Sequence, residues 1–170
     1  MNRVKNILSK EYLKMLYYCL IHPYLVYGVT LWGGTHSTYL KKLFILQKKA
    51  IRIINKTNYL HHTHSLFHDN ANLKLADLYN LEVAKYLYRF SKNVLPKPLQ
   101  KLFTTHSSLH NYNTRNRNNP CIPLNKSTSS IISIIQKGPI IWHKVPNELK
   151  KSRTISIFKY KYKKYLISKY

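Results

Sequence analysis

Carboxylates are scarce in this sequence. Of 170 residues only five are acidic, Glu11, Asp69, Asp77, Glu82 and Glu148, against 29 lysines and arginines, for a formal net charge of +24. No two acids are adjacent. The pair Asp77 and Glu82 stands five residues apart, about 500° round a helix axis and so off any common face. Two-metal phosphoryl or nucleotidyl transfer needs carboxylates converging on divalent cations, and glycoside hydrolysis needs a facing pair. The acid count speaks against both reactions, and no catalytic residue, metal site, cofactor or small-molecule substrate is expected. Cysteine is scarcer still. Cys19 and Cys121 form no Cys-x-x-Cys pair, and the opening Met1-Asn-Arg-Val-Lys-Asn does not read as a signal peptide. A reducing, intracellular setting, nucleus or cytoplasm, fits that usage. The uncharged run over 16–40 is long enough to span a bilayer. His22, Pro23, Gly28, Thr30, Gly33 and Gly34 dilute it, so a buried core segment is expected rather than a membrane span.

What is present suits one compact domain. A hydrophobic content of 44%, with 15 tyrosines, is enough to fill a core despite the charge. A self-repelling surface of this sign is relieved by a polyanion, and nucleic acid or an anionic membrane face are the common ones. The charge is uneven: residues 1–40 carry +3, 41–64 carry +6, 65–90 are neutral, 91–143 carry +7 and 144–170 carry +8. The balanced middle reads as scaffold.

Along 11–32, Leu13, Leu16, Tyr17, Leu20 and Ile21 recur at helical spacing until His22-Pro23 interrupts, which predicts a helix bent or restarted at Pro23. Gly33-Gly34 would end it in the left-handed conformation, and a new helix would begin near Ser37 or Thr38. Over 40–55, Leu40, Leu43, Phe44, Gln47, Ala50, Ile51 and Ile54 make the cleanest amphipathic stripe in the chain. Lys41, Lys48, Lys49, Arg52 and Lys56 share another side, with no acid to relieve them. That row is either a phosphate-gripping face or a merely solvated one. Residues 59–72 read as a loop. Its His61, His62, His64 and His68 raise a zinc site, but no cysteine is near and polar loop residues are the simpler reading. A second amphipathic helix spans 75–90, with Asn72 as N-cap, Asp77 serving the helix dipole, and Pro96 and Pro98 closing it off.

From 106 to 130 the chain turns to Asn, Ser, Thr and Pro, predicting a loop or an extended strap. Arg115 and Arg117 there are candidates for phosphate, and Tyr112 for stacking on a base. The alternative is a polar connection touching only solvent. Over 130–141 helix and strand are hard to separate. Trp142 reads as a buried anchor, and Pro146 with Glu148 opens a short helix. Ile155, Phe158, Tyr162, Tyr165 and Leu166 then follow helical spacing, interleaved with Lys159, Lys161, Lys163 and Lys164, although the alternation from Phe158 would also suit a strand. The expected fold is thus mainly α. It is a small helical bundle with a helical core over 1–105, a polar basic strap near 106–135 that can hold a short β-hairpin, and a Trp-anchored segment with a basic helix over 136–170, all within one domain.

The order of these blocks resembles a known family. Residues 20–28 read Leu-Ile-His-Pro-Tyr-Leu-Val-Tyr-Gly and lead to Trp32-Gly33. Residues 43–54 read Leu-Phe-Ile-Leu-Gln-Lys-Lys-Ala-Ile-Arg-Ile-Ile, and 112–115 read Tyr-Asn-Thr-Arg. Gly-Pro-Ile-Ile-Trp at 138–142 is followed by Val-Pro-Asn-Glu-Leu at 145–149, and 158–166 read Phe-Lys-Tyr-Lys-Tyr-Lys-Lys-Tyr-Leu. Together they are similar to the region downstream of the polymerase core in reverse transcriptases of jockey-like retrotransposons without long terminal repeats. Each motif is mostly apolar and weak alone; the five in order cover nearly the whole chain.

Such an RNA-directed DNA polymerase carries an aromatic-x-Asp-Asp signature and a further upstream aspartate, and this chain has no adjacent aspartates. The resemblance therefore implies a C-terminal piece that is no enzyme on its own. Its partners would be an RNA or DNA backbone and an upstream polymerase core. Alternatively it serves a polymerase only when joined to that core, or it is a relic whose lysines follow from a biased coding sequence, since Lys, Asn, Ile and Tyr fill 69 of 170 positions. With 23 lysines to six arginines, backbone attraction of low sequence specificity is expected.

Overall fold

A computed structural model describes residues 1–109, 111–112, 117–124 and 127–170, apart from the side chains of Thr128 and Ser129. The fold is mainly α, and among the described residues no strand forms. In chain order the helices are α1 (Lys10–Leu16), α2 (His22–Val26), α3 (Val29–Trp32), α4 (Ser37–Ile54), α5 (His64–Asp69), α6 (Leu75–Ser91), α7 (Lys97–Gln100), α8 (His106–Leu109), α9 (Thr128–Ile132), α10 (Ile134–Lys144), α11 (Asn147–Lys150) and α12 (Ile155–Ile167). They belong to two compact units. One comprises Met1–Tyr79 with Lys163–Tyr170, the other Asn80–Tyr162. The divisions fall inside α6 and α12. Among the described residues no helix is long and apolar enough to cross a membrane.

In the first unit the chain bends where the sequence predicts, through a π-helical turn at Tyr17–Ile21 into α2, with Pro23 in its opening turn. Proline lacks the N–H an inner helical position must donate, but the first turn does not need it. The left-handed residue is Gly28, at φ 60°, and not Gly33, whose φ is −69°. Gly33 is needed for space instead: a Cβ there would lie 2.5 Å from the Val29 carbonyl oxygen and 2.6 Å from Tyr79 Cδ2. Leu13, Tyr17, Ala50, Ile51, Ile54, Leu66 and Phe67 form the core, with Phe44 stacked on Phe67 at 6.2 Å between ring centroids.

Two local expectations are corrected here. Residues 59–72 are not all loop, because burial of Leu66 and Phe67 holds α5 in helix. Asn72 does not cap α6: its side-chain oxygen accepts the Tyr18 hydroxyl. The first helical bonds, from the N–H groups of Asp77 and Leu78, instead end on the Lys74 carbonyl.

In the second unit aromatic rings pack in the core beside aliphatic side chains such as Val83, Leu87 and Val145. Tyr88 stacks on Phe158 at 4.8 Å, Phe158 on Tyr162 at 5.7 Å, and Trp142 lies tilted against Phe158 at 6.1 Å. The segments that could have been strands are α9, α10 and α12. Ser133 starts α10 by accepting the Ile135 N–H at 3.2 Å. The expected extended strap contains helix at α8 and α9. The expected hairpin is reduced, among the described residues, to one antiparallel bridge between Thr105 and Pro120.

Candidate nucleic-acid interface

The buried stripe of α4 is Gln47, Ala50, Ile51 and Ile54. At 100° per residue the cations Lys41, Lys48, Lys49 and Arg52 lie opposite it. They do not act as one row. Lys41 belongs to the first turns and lines a depression of about 630 Å³ with Ser37, Lys74 and Asp77. Lys48 is half-buried, its Nζ 4.5 Å from the Phe44 ring centroid. Lys49 and Arg52 are drawn to Tyr59, each cation 5.7 Å from the ring centroid, within the range in which a cation is attracted to a π-face. Arg52 is further fixed by donating from Nε to the His61 carbonyl at 2.9 Å.

These two residues form the wall of a concavity of about 430 Å³, which Lys5, Lys56 and Tyr59 complete together with Asn2, Asn6, Ile53 and Thr57. Four cations and an aromatic ring thus face one space, and no carboxylate lines it among the described residues. Lys56 stands just after the helix with φ 53°, a left-handed backbone for a residue that is not glycine. Such a conformation costs about 1–2 kcal/mol. Tyr59 is 64% exposed, and its backbone N–H is held by the Asn58 side-chain oxygen at 2.6 Å.

The remaining candidates fall elsewhere. Arg115 lies outside the described residues. Arg117 is exposed in a turn, its carbonyl accepting the Ser107 N–H at 2.9 Å, and Tyr112 is 78% exposed. On α12 the buried stripe is Phe158, Tyr162 and Leu166. Lys159 and Lys163 fall on one flank of that stripe, and Lys161 and Lys164 on the other, so the expected C-terminal lysine cluster does not make one face. Lys5, Asn2, Asn6 and Tyr59 were not singled out by the sequence. Lys5 and Lys49 are 44 positions apart, and periodicity cannot report such a pairing. Tyr59, three residues after Lys56, was the one legible hint.

The four histidines make different contacts, although His62, His64 and His68 line one shallow depression with Asp69. His61 Nδ1 meets the His62 carbonyl at 2.7 Å, His64 packs edge-on to Tyr170, and His68 Nδ1 stands 3.6 Å from Asp69. Among the described residues no three His, Cys, Asp or Glu side chains make a metal-ligand set. Of the acids, Asp77 accepts the Tyr170 hydroxyl and Glu82 pairs with Lys85 at 2.6 Å, so both have structural partners. A separate depression of about 370 Å³, lined by Leu20, Tyr24, Leu43, Leu46 and their neighbours, leaves apolar side chains of α2 and α4 exposed. Comparison with protein-family models, curated proteins and solved structures gives no match.

Proposed function

We propose that this chain is a non-catalytic nucleic-acid-binding module, the kind of basic piece that follows the polymerase core in a jockey-like retrotransposon reverse transcriptase. The observation that carries the reading is the concavity where Lys5, Lys49, Arg52 and Lys56 converge with no acid among them. Four like charges around one space repel one another; the negative charge of a phosphate backbone offsets that repulsion, and release of the polymer's condensed counterions drives the association. The excess of lysine over arginine supports point-charge attraction over bidentate reading of bases, so affinity outweighs sequence specificity.

The test is a salt titration of binding to labelled RNA and DNA by fluorescence anisotropy. If about six phosphates are neutralised, log affinity against log salt slopes near −4 on a single strand and about −5 on a duplex. A flat response refutes the proposal. Primer extension is the second arm. The chain alone, with magnesium, gives no product on this reading, and product from it would contradict the assignment.

A further inference from the structure

Resting on that reading and sharpening it, we infer that the concavity beside Tyr59 is a single-strand site. It takes one unpaired nucleotide, with the base against the Tyr59 ring and the flanking phosphates among Lys5, Lys49, Arg52 and Lys56. Cations alone would not choose between strands, because duplex and single strand both present phosphates. The ring does choose. A base inside a duplex is stacked on both faces and cannot offer one to tyrosine, whereas an unpaired base can, and any base will serve.

The site is built before a ligand arrives. Tyr59 is tethered through its own N–H to Asn58, the cations of Lys49 and Arg52 sit at its ring, and Arg52 is tied to the His61 carbonyl. With 64% of Tyr59 exposed, those cations cover the ring only in part. A space of about 430 Å³ lies at the small end of ordinary ligand sites, suiting a single nucleotide and not a double helix. Asn2, Asn6 and Thr57 add donors and acceptors for sugar and base edges.

The experiment compares the full chain with Tyr59→Ala, Tyr59→Phe and the pair Lys49→Gln/Arg52→Gln, on labelled oligo-dT and on a duplex of the same length at one salt concentration. Tyr59→Ala weakens single-strand binding about tenfold or more, weakens duplex binding several-fold less, and leaves the salt slope unchanged. Tyr59→Phe, which keeps the stacking face, binds as the parent does. The double charge variant weakens both polymers and flattens both slopes. Equal loss on both polymers by Tyr59→Ala, or loss on neither, overturns the single-strand assignment while the salt-dependent binding of the parent still stands. Displacement of oligo-dT by adenosine monophosphate at equal concentration assigns the space to a free nucleotide and overturns it too. Absence of salt-dependent binding by the parent removes the broader proposal as well, so the two failures are distinct.

Discussion

The hydroxyl of Tyr170 donates to Oδ2 of Asp77 at 2.7 Å, and its oxygen accepts the backbone N–H of Lys74 at 2.9 Å. Lys74 immediately precedes α6 and Asp77 is its third residue. In a capping box the carboxylate at that third position reaches back to the same N–H itself. The Asp77 side chain is shorter than a glutamate, and the phenol completes the link. Lys74 Nζ also lies 3.9 Å from the Tyr170 ring centroid, so one tyrosine satisfies the helix start and packs against its cation.

Tyr170→Phe keeps the ring and removes both hydrogen bonds. We expect a loss of about 1–3 kcal/mol in urea unfolding. Burial above all, aided by the bond to and charge of Asp77 and opposed by the Lys74 N–H, pushes the Tyr170 phenol well above its ordinary range. The folded chain then keeps a proton that the unfolded chain releases near pH 10. The phenol's contribution is therefore complete below about pH 10 and declines as pH rises beyond it. The gap between parent and Tyr170→Phe narrows above that pH. A gap that stays constant to higher pH contradicts the assignment.

Gly33→Ala and Gly28→Ala test different constraints. At Gly28 the space is open, with Trp32 3.7 Å from the added carbon, but φ is 60°, and about 1 kcal/mol is lost to backbone strain. At Gly33 the new methyl meets a backbone oxygen and the Tyr79 ring, a clash worth about 1–3 kcal/mol. Thermal melts should rank Gly33→Ala below Gly28→Ala.

Trp142 is 2% exposed, and its Nε1 donates to Asn119 Oδ1 at 3.3 Å. Trp142→Ala opens a cavity beside Phe158 and should cost about 3–5 kcal/mol. Trp142→Phe, which retains a ring and gives up the long hydrogen bond, should cost clearly less. Near-UV circular dichroism followed through denaturation separates the two.

Charge removal should be position-dependent. Lys49→Gln with Arg52→Gln removes two cations from the concavity, and each lost phosphate contact lowers the magnitude of the salt slope by about 0.7 on a single strand. Lys41→Gln lies about 16 Å from Arg52 along α4 and should change the slope less. Equal effects at the two ends of the helix would mean that the charge acts diffusely.

The long helices were legible because α4 and α6 carry their apolar residues at steady helical spacing. The short α5 was not. Six residues are too few for a periodic signal, and the helix depends on burying Leu66 and Phe67. Asn72 misled because the N-cap preference is local, while its side-chain oxygen is claimed by Tyr18, 54 positions away. The lysines of α12 are a different case. The segment is the basic helix that its spacing predicts, but Phe158, Tyr162 and Leu166 are buried at a spacing of four, so the helix spreads Lys159, Lys161 and Lys163 to both flanks of that stripe. Of the cationic concavity, Lys49, Arg52 and Lys56 follow from the pattern of α4, while Lys5 arrives only through the tertiary fold.

Lys56 holds a left-handed backbone inside that concavity, so under the proposed function durability and grip would pull in opposite directions at this one position. Lys56→Gly would relax the main chain by about 1 kcal/mol and delete a charge. The resulting protein should melt at a higher temperature yet hold its polymer more loosely, and a screen for thermal robustness alone would enrich the very change that weakens binding.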